Sequence, residues 1–304
     1  MNAVDVDPAA SEPRFSVGEY TTRGLSFVED LDLYARLGID GIGIDAGLKL
    51  RGTDDELAAF EASGLRATFC FPTTPSVLPL PQLPGTTDPV ERIDAMCRSI
   101  ADLARYQPLA CVCVTGPQGA YSSRQARDLA VRGLREAAQC AAEFGIDLAV
   151  EPMHASLRDE WSIVTTIPET VDLLEEVGEP NVRIMYDVWH LWDTKDLLAH
   201  TREYAPQLAG VQVNDWRSPT RSWCDRVLPG DGMADVRGIF AALDAGGYNG
   251  WFELEVFSDD GTFGNEFNDS LWKLDPETVV RRGHEAFLRL WNGRHDQLSE
   301  GTRR

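Results

Sequence analysis

Residues 143–151 have the sequence EFGIDLAVE, in which the end of a helical pattern is followed by a glycine, a short apolar run and an acid. Residues 245–255 have the sequence AGGYNGWFELE and repeat this order. A glycine after a helical pattern marks a helix end, and a short apolar run bounded by turn residues is typical of a buried strand. Both stretches therefore predict a helix, a turn and a strand that ends at an acid, Glu151 or Glu255.

The same alternation of helical patterns and short apolar runs begins at Phe15 and gives about eight strand–helix units. Repeated units of this kind favour a parallel sheet, and eight of them close it into a barrel. We predict an α/β protein with a parallel eight-stranded (β/α)8 fold, a TIM barrel, as a single catalytic domain at residues 15–292. We expect a disordered N-terminal tail at 1–14 and a polar C-terminal tail at 293–304.

The composition excludes several classes of function. The 304 residues are 43% hydrophobic and 25% charged, which is sufficient for a large buried core. Asp and Glu number 49 against 28 Lys and Arg, and the formal charge of −21 disfavours nucleic acid and anionic membranes as partners. The six cysteines are scattered without a C-x-x-C pair, so we expect reduced thiols and a cytoplasmic protein. No apolar run approaches the ~20 residues that cross a bilayer.

Two long segments interrupt the regular alternation. Residues 72–89 are rich in proline and follow the third predicted strand, whereas residues 257–276 follow the eighth and mix acids with aromatic residues. Loops of this length in a compact domain are commonly functional. We expect both segments to lie on the active face as lids, with an insertion that only covers the barrel rim as the alternative.

Four consecutive predicted strands carry a polar residue at or near their ends: Glu151, Asp187, Gln212 and Glu255. The carboxyl ends of barrel strands form one face, so these side chains are expected to converge. Three converging carboxylates repel one another and are costly to desolvate, which favours a bound divalent cation. The oxygen-rich set favours manganese first, with magnesium, cobalt or zinc as alternatives. Any one of these acids alone has a helix-capping role as its structural alternative.

From residue 147 to residue 291 the sequence resembles the sugar isomerase/epimerase family, which has a xylose-isomerase-like TIM barrel. The resemblance covers roughly half of the chain, and its motifs occur in the expected order. They are EPMH at 151–154, DVWHLW at 187–192, DW at 215–216, an arginine at 226 with GDG at 230–232, and GYNGWFELEVFS at 247–258.

The resemblance implies a divalent metal, held by an acid after strand five, an Asp after strand six, a His on strand seven and an acid on strand eight. These positions correspond to Glu151, Asp187, Gln212 and Glu255. The seventh-strand residue differs from the family, because glutamine replaces histidine. A glutamine oxygen is a weaker donor than imidazole and makes the ion more Lewis acidic, so the metal and the reaction both depend on this exchange.

The resemblance also implies removal of a proton next to a substrate carbonyl. Glu151 and Glu255 would act as base and acid across the substrate, since two carboxyls that share a cation can have separate proton affinities. By the same resemblance, His190 contacts a substrate hydroxyl, and His154 is a candidate proton shuttle. Structural roles are the alternative for both histidines.

Further candidates for substrate binding are an arginine and several tryptophans. Arg226 precedes a glycine-rich turn and can hold a substrate oxygen or phosphate, with a salt bridge to nearby acids as its structural alternative. Trp189 and Trp216, together with Trp192 and Trp223, are candidates for a wall that stacks on a sugar or an aryl group. Packing at the barrel rim is the alternative for all four.

These observations lead to a first hypothesis and several alternatives. The first is a metal-dependent isomerase or epimerase of a small sugar or keto-sugar. The second is a lyase resembling the large subunit of C-glycoside deglycosidases, which cleaves 3-oxo-C-glycosides by enolisation and β-elimination with a small partner subunit. A homo-oligomer is a further expectation about partners. A DNA-repair nuclease is disfavoured by the charge and by the presence of only five histidines, and a non-catalytic subunit is the last alternative.

Overall fold

The structure is a computed structural model that describes residues 13–83 and 85–296. The N-terminal tail predicted at 1–14 lies almost entirely outside the described residues, and the C-terminal tail predicted at 293–304 is described only as far as residue 296. The described residues form a single α/β domain in which strands and helices alternate along the chain. The predicted fold class is therefore confirmed.

In the described residues, eight strands form the barrel, and the third consists of two short segments. In chain order they are β1 (Arg14–Gly18), β2 (Gly41–Gly43), β3 (Arg66–Ala67 and Phe69–Cys70), β4 (Ala110–Cys113), β5 (Asp147–Val150), β6 (Val182–Asp187), β7 (Leu208–Val213) and β8 (Trp251–Leu254). A separate antiparallel ribbon pairs Asp215–Trp216 with Arg226–Val227.

Helices follow the strands on the outside of the barrel. They are α1 (Phe27–Arg36), α2 (Asp54–Ser63), α3 (Pro89–Leu103), α4 (Ser123–Ala142), α5 (Ile167–Val177), α6 (Val188–Leu191), α7 (Leu197–Tyr204), α8 (Val236–Ala245) and α9 (Pro276–Asn292). Among the helices of residues 13–83 and 85–296, none has the length and apolar content needed to cross a membrane.

The barrel closes at β3. The first segment of β3 pairs with β2 and the second pairs with β4, so the two ends of the hydrogen-bonded sheet lie on the same stretch of chain. Thr68 joins them, because its N–H donates to Ile42 O at 2.9 Å and its carbonyl accepts from Ala110 N at 3.2 Å. All pairings between barrel strands are parallel, which places every strand end on one face.

Alternate residues of each strand pack on opposite sides of the barrel wall. The main hydrophobic core lies between the strands and the helices, and includes Leu148 and Val150 of β5. A smaller apolar cluster fills part of the interior with Phe69, Val112 and Met185. The barrel is therefore packed on both sides, and its strand ends have fixed positions.

Two of the six cysteines form a disulfide, although reduced thiols were expected. Cys97 of α3 and Cys140 of α4 form a disulfide with their Cα atoms 5.7 Å apart. The other four cysteines are free and buried. The prediction that all six are reduced is wrong for this pair, because packing of α3 against α4 brings together residues that are 43 positions apart in sequence. Cysteine usage therefore no longer supports the cytoplasmic assignment.

Close packing at Gly210 of β7 gives a test of the barrel interior. A Cβ at this position would lie 1.9 Å from Cζ of Phe69. We expect Gly210→Ala to lower the free energy of unfolding by about 1–3 kcal/mol, because overpacking forces neighbours out of their rotamers. Gly24→Ala is the matched control, since a Cβ there meets no atom within 4 Å. Equal denaturation midpoints for the two variants would contradict this packing.

Candidate active site

Parallel pairing brings the four predicted strand-end residues to one place. Glu151 and Glu255 follow β5 and β8, while Asp187 and Gln212 lie opposite each other in register on β6 and β7. Gln212 Nε2 donates a hydrogen bond to Glu255 Oε1 at 2.9 Å. Oxygen atoms of Glu151 and Asp187 and a ring nitrogen of His190 lie within 4.8 Å of one another. The predicted convergence is therefore present in the structure.

Arg226 lies among the buried carboxylates Glu151, Asp187 and Glu255, which we call the carboxylate cluster. Its Nη1 is 2.6 Å from Asp187 Oδ2 and 2.8 Å from Glu255 Oε2. The guanidinium also lies over the ring of Phe257, with 4.7 Å between its Cζ and the ring centroid. A guanidinium remains charged in proteins, so it supplies one positive charge to this group of acids.

The ribbon that carries Arg226 is fixed by Asp215. This buried carboxylate accepts backbone hydrogen bonds from Gly230, Gly232 and Ala234 at 2.9, 3.0 and 2.9 Å. A Cβ at Gly232 would lie 2.4 Å from Asp215 Oδ1, so this close approach requires glycine. The DW and GDG motifs are thus joined by these hydrogen bonds, which hold the segment on which Arg226 lies.

His190 is held in one tautomer. The backbone N–H of His154 donates to His190 Nδ1 at 3.1 Å. Burial, with the nearby charge of Arg226, lowers the pKa of His190 well below its ordinary value, so the ring is neutral. A neutral ring that accepts at Nδ1 carries its proton on Nε2. That proton faces Glu151 Oε1 at 3.5 Å and Asp187 Oδ2 at 3.6 Å, so Nε2 is a donor here and not a metal ligand.

The two glutamates of the carboxylate cluster have raised proton affinities. Burial, reinforced by the charges of Asp187 and Glu255, raises the pKa of Glu151 well above its ordinary value. Burial raises the pKa of Glu255 to about 8, although the charge of Arg226 opposes the shift. With a pKa of about 8, Glu255 can accept and release a proton near neutral pH.

The oxygen atoms at this place fit a divalent cation. Gln212 Oε1 is buried and has no hydrogen-bond partner among the residues that the structure describes. Asn214 Nδ2 donates to Asp187 Oδ1 at 2.8 Å and fixes the orientation of that carboxylate. An unsatisfied buried carbonyl oxygen beside three carboxylates is the donor chemistry preferred by Mg²⁺ and Mn²⁺.

A cavity of about 380 Å³ opens above these groups. Its polar lining includes Glu151, His190, Arg226 and Glu255, whereas Asp187 and Gln212 lie below and are completely buried. Most of the remaining wall is apolar. Four aromatic residues of this lining, which we call the aromatic wall, are Trp161, Trp223, Phe257 and Phe263.

Both long loops reach this cavity, as expected. The loop at 72–89 contributes Pro72, Gln82 and Leu83, and the loop at 257–276 contributes Phe257 and Phe263. Asp259 shapes the second loop, because its carboxylate accepts backbone hydrogen bonds from residues 261, 263 and 265. The loops therefore form part of the wall.

Comparison with known families agrees with this architecture. A family model described as a xylose isomerase-like TIM barrel matches residues 31–290. This protein belongs to the xylose isomerase-like TIM barrel family. The family predicted from the sequence motifs is thus confirmed, and the match includes the first half of the chain, where the motifs gave no signal.

Several curated proteins are similar to part of this chain at limited sequence identity. The inosose dehydratase of Geobacillus thermodenitrificans is 30% identical over 148 residues, which are 43% of this chain and 47% of that protein. The D-psicose 3-epimerase of Enterocloster bolteae is 29% identical over 160 residues, 51% of this chain and 50% of that protein. The match thus spans about half the length of these two relatives. A solved structure described as IOLI protein with a binding zinc atom has a TM-score of 0.74 at 18% identity, covering 91% of this chain and 98% of that one.

Three residues predicted for this xylose isomerase-like site lie away from the cavity wall. The ring of His154 contacts Ser156 Oγ at 2.7 Å and Asp193 Oδ2 at 3.4 Å. Trp189 and Trp216 pack against each other with centroids 4.5 Å apart, and Trp189 supports Arg226 from behind at 5.4 Å. The three rings pack against one another outside the cavity lining, which their sequence spacing does not reveal.

The structure adds residues that the sequence did not single out. Trp161 lines the cavity from a loop without a recognisable motif. Asn214 lies two residues after Gln212. Because residues i and i+2 of an extended chain lie on the same side, this spacing could have identified Asn214 from the sequence. Glu253 likewise lies two residues before Glu255, on the same side of the extended chain. Its carboxylate accepts a hydrogen bond from Thr68 Oγ1 at 2.8 Å inside the barrel.

Glu253 gives a pH-dependent prediction. Burial raises its pKa from 4.5 to about 7. Between these two values the folded protein binds more protons than the unfolded chain, so stability falls as the pH rises through this window. In Glu253→Gln, we expect this fall in unfolding free energy to be smaller by about 3 kcal/mol.

The measurement is urea denaturation from pH 4.5 to pH 7.5 in a chelating buffer. Glu143→Gln is the control, because it removes an exposed acid. If Glu253→Gln and wild type lose stability equally over this range, Glu253 is not protonated in the folded protein.

Proposed function

We propose that this protein is a divalent-metal-dependent enzyme that removes a proton next to the carbonyl of a sugar or keto-sugar, as an isomerase or epimerase. The observation that carries the proposal is that Glu151 and Glu255 both line one cavity. Both are buried and have raised pKa values, and the unpartnered oxygen of Gln212 lies beside them.

The names of the relatives support this class of reaction. One is an epimerase of D-psicose and another is a dehydratase of inosose. On a ketone with neighbouring hydroxyls, epimerisation and dehydration both begin with loss of a proton next to the carbonyl. The same arrangement of acids can therefore serve either outcome.

We propose that Glu151, Asp187, Gln212 and Glu255 hold the ion, with manganese as the first choice. When bound, the ion supplies Lewis-acid stabilisation of the negative charge that develops on a carbonyl oxygen. A C–H next to a carbonyl is too weak an acid for a free carboxylate, so this stabilisation is needed. The oxygen-only donor set agrees with manganese or magnesium.

The protein groups divide the remaining tasks. One of Glu151 and Glu255 accepts the substrate proton while the other donates one on the opposite side, since two carboxyls in one site can have separate proton affinities. His190 Nε2–H donates a hydrogen bond to a substrate oxygen in the cavity. The backbone N–H at residue 154 fixes the His190 tautomer, a role that does not use the His154 ring. Apolar side chains around the cavity exclude water.

Glutamine substitutions test the two acids. We expect Glu151→Gln and Glu255→Gln each to lower kcat on a ketose substrate by about 10²–10⁴-fold, because proton transfer is lost. Glu277→Gln, a surface acid paired with Arg36 and Arg281, is the control that keeps wild-type activity. Chelation should abolish wild-type activity, and added Mn²⁺ should restore it. Full activity in either cavity variant, or in chelator, would contradict the proposal.

The aromatic wall favours a second candidate, a lyase that enolises an oxidised glycoside and expels an aryl group from the β carbon. Trp161 and Trp223 lie 5.9 Å apart between ring centroids, and Trp223 lies 5.0 Å from Phe263. A simple sugar has little apolar surface to pack against four aromatic rings, whereas an aryl aglycone has a planar face for them.

A substrate comparison separates the two candidates. If the lyase is correct, a 3-oxo aryl C-glycoside is cleaved with release of the aglycone, and Trp161→Ala or Trp223→Ala raises its KM roughly tenfold through lost stacking. Phe144→Ala is the control, because this exposed ring lies outside the cavity wall. Conversion of simple ketoses without any aglycone release would instead favour the isomerase.

A further inference from the structure

Arg226 lines the cavity and also contacts the completely buried Asp187. Its guanidinium lines the cavity, whereas Asp187 and Gln212 have no exposed surface. Nη1 bridges Asp187 Oδ2 and Glu255 Oε2 at 2.6 and 2.8 Å. The guanidinium therefore occupies a contact with each of these two carboxylates at the end of the cavity where Glu255 is part of the lining.

The guanidinium is only partly satisfied at this position. Arg226 Nε is buried and has no hydrogen-bond partner within the described part of the chain. Nη2 lies 3.3 Å from His190 Nε2. Because the His190 tautomer places a proton on that nitrogen, two donors face each other there. The hold of Arg226 on the site therefore depends on its charge and on the two bonds from Nη1.

The oxygens that hold Arg226 are the same ones that we assign to the divalent ion. Two cations that compete for the same carboxylate oxygens in a buried site repel each other strongly. We propose that Arg226 is a tethered cation that competes with the divalent ion for Asp187 and Glu255, and that it is displaced into the cavity when the ion binds. This inference rests on the proposed metal dependence.

Competition of this kind has two consequences. Before the ion binds, Arg226 compensates part of the charge of the carboxylate cluster, which keeps the oxygens in place despite their mutual repulsion. After displacement, the guanidinium points into the cavity and is free to bind a substrate oxygen or carboxylate. Binding of the metal would then also make the Arg226 side chain available to the substrate.

The direct test is calorimetric titration of Mn²⁺ into full-length protein stripped of divalent ions, which requires no substrate. We expect Arg226→Gln to bind Mn²⁺ at least about tenfold more tightly than wild type, because the competing charge is gone. Arg282→Gln is the charge-matched control, since Arg282 is half exposed and its only ion pair in the described residues is 3.8 Å long. We expect this variant to bind like wild type.

Equal or weaker Mn²⁺ binding by Arg226→Gln would overturn the competition and leave the proposed function intact. Absence of binding in wild type and in both variants would overturn the competition and the metal-dependent function together. If Arg226→Gln does not fold, crystal structures of wild type with and without Mn²⁺ give the answer. Loss of the bond from Nη1 to Asp187 Oδ2 in the Mn²⁺ form supports the inference, and its retention beside a bound ion overturns it.

Discussion

The end of this barrel is governed by the burial of three carboxylates. Glu151, Asp187 and Glu255 project from parallel strands whose ends cannot move apart, because both faces of the barrel wall are packed. Buried like charges must be protonated, paired or bound to a cation. The protein uses the first two of these solutions: Glu151 and Glu255 have raised pKa values, and Arg226 pairs with Asp187 and Glu255.

Several features of the surrounding structure follow from this constraint. Asp215 organises the turn after Arg226, so that the arginine reaches the carboxylates from a fixed ribbon. Burial and the charge of Arg226 lower the pKa of His190, so the imidazole beside the carboxylates is neutral. Gln212 bonds Glu255 through its amide nitrogen and leaves its oxygen free. The substitution of glutamine for the histidine expected from the family thus keeps every donor in the proposed set an oxygen.

The sequence predicts the fold and the convergence of the strand-end residues well, since both follow from local periodicity. The strand bounds at Val182–Asp187 and Leu208–Val213 contain Asp187 and Gln212 as expected. Features set by long-range packing could not be predicted in this way. The Cys97–Cys140 disulfide depends on how two helices pack, and the placement of Trp161 in the cavity, with Trp189 and Trp216 outside it, depends on the paths of loops.

We propose that oxygens of Glu151, Asp187, Gln212 and Glu255 form one divalent-ion site. Anomalous diffraction at the manganese absorption edge, from crystals grown with Mn²⁺, tests it most directly. We expect a single strong peak about 2 Å from an oxygen of each of these four side chains, with His190 outside the coordination sphere. A peak bound through His190 Nε2, or no peak at this end of the barrel, would contradict it.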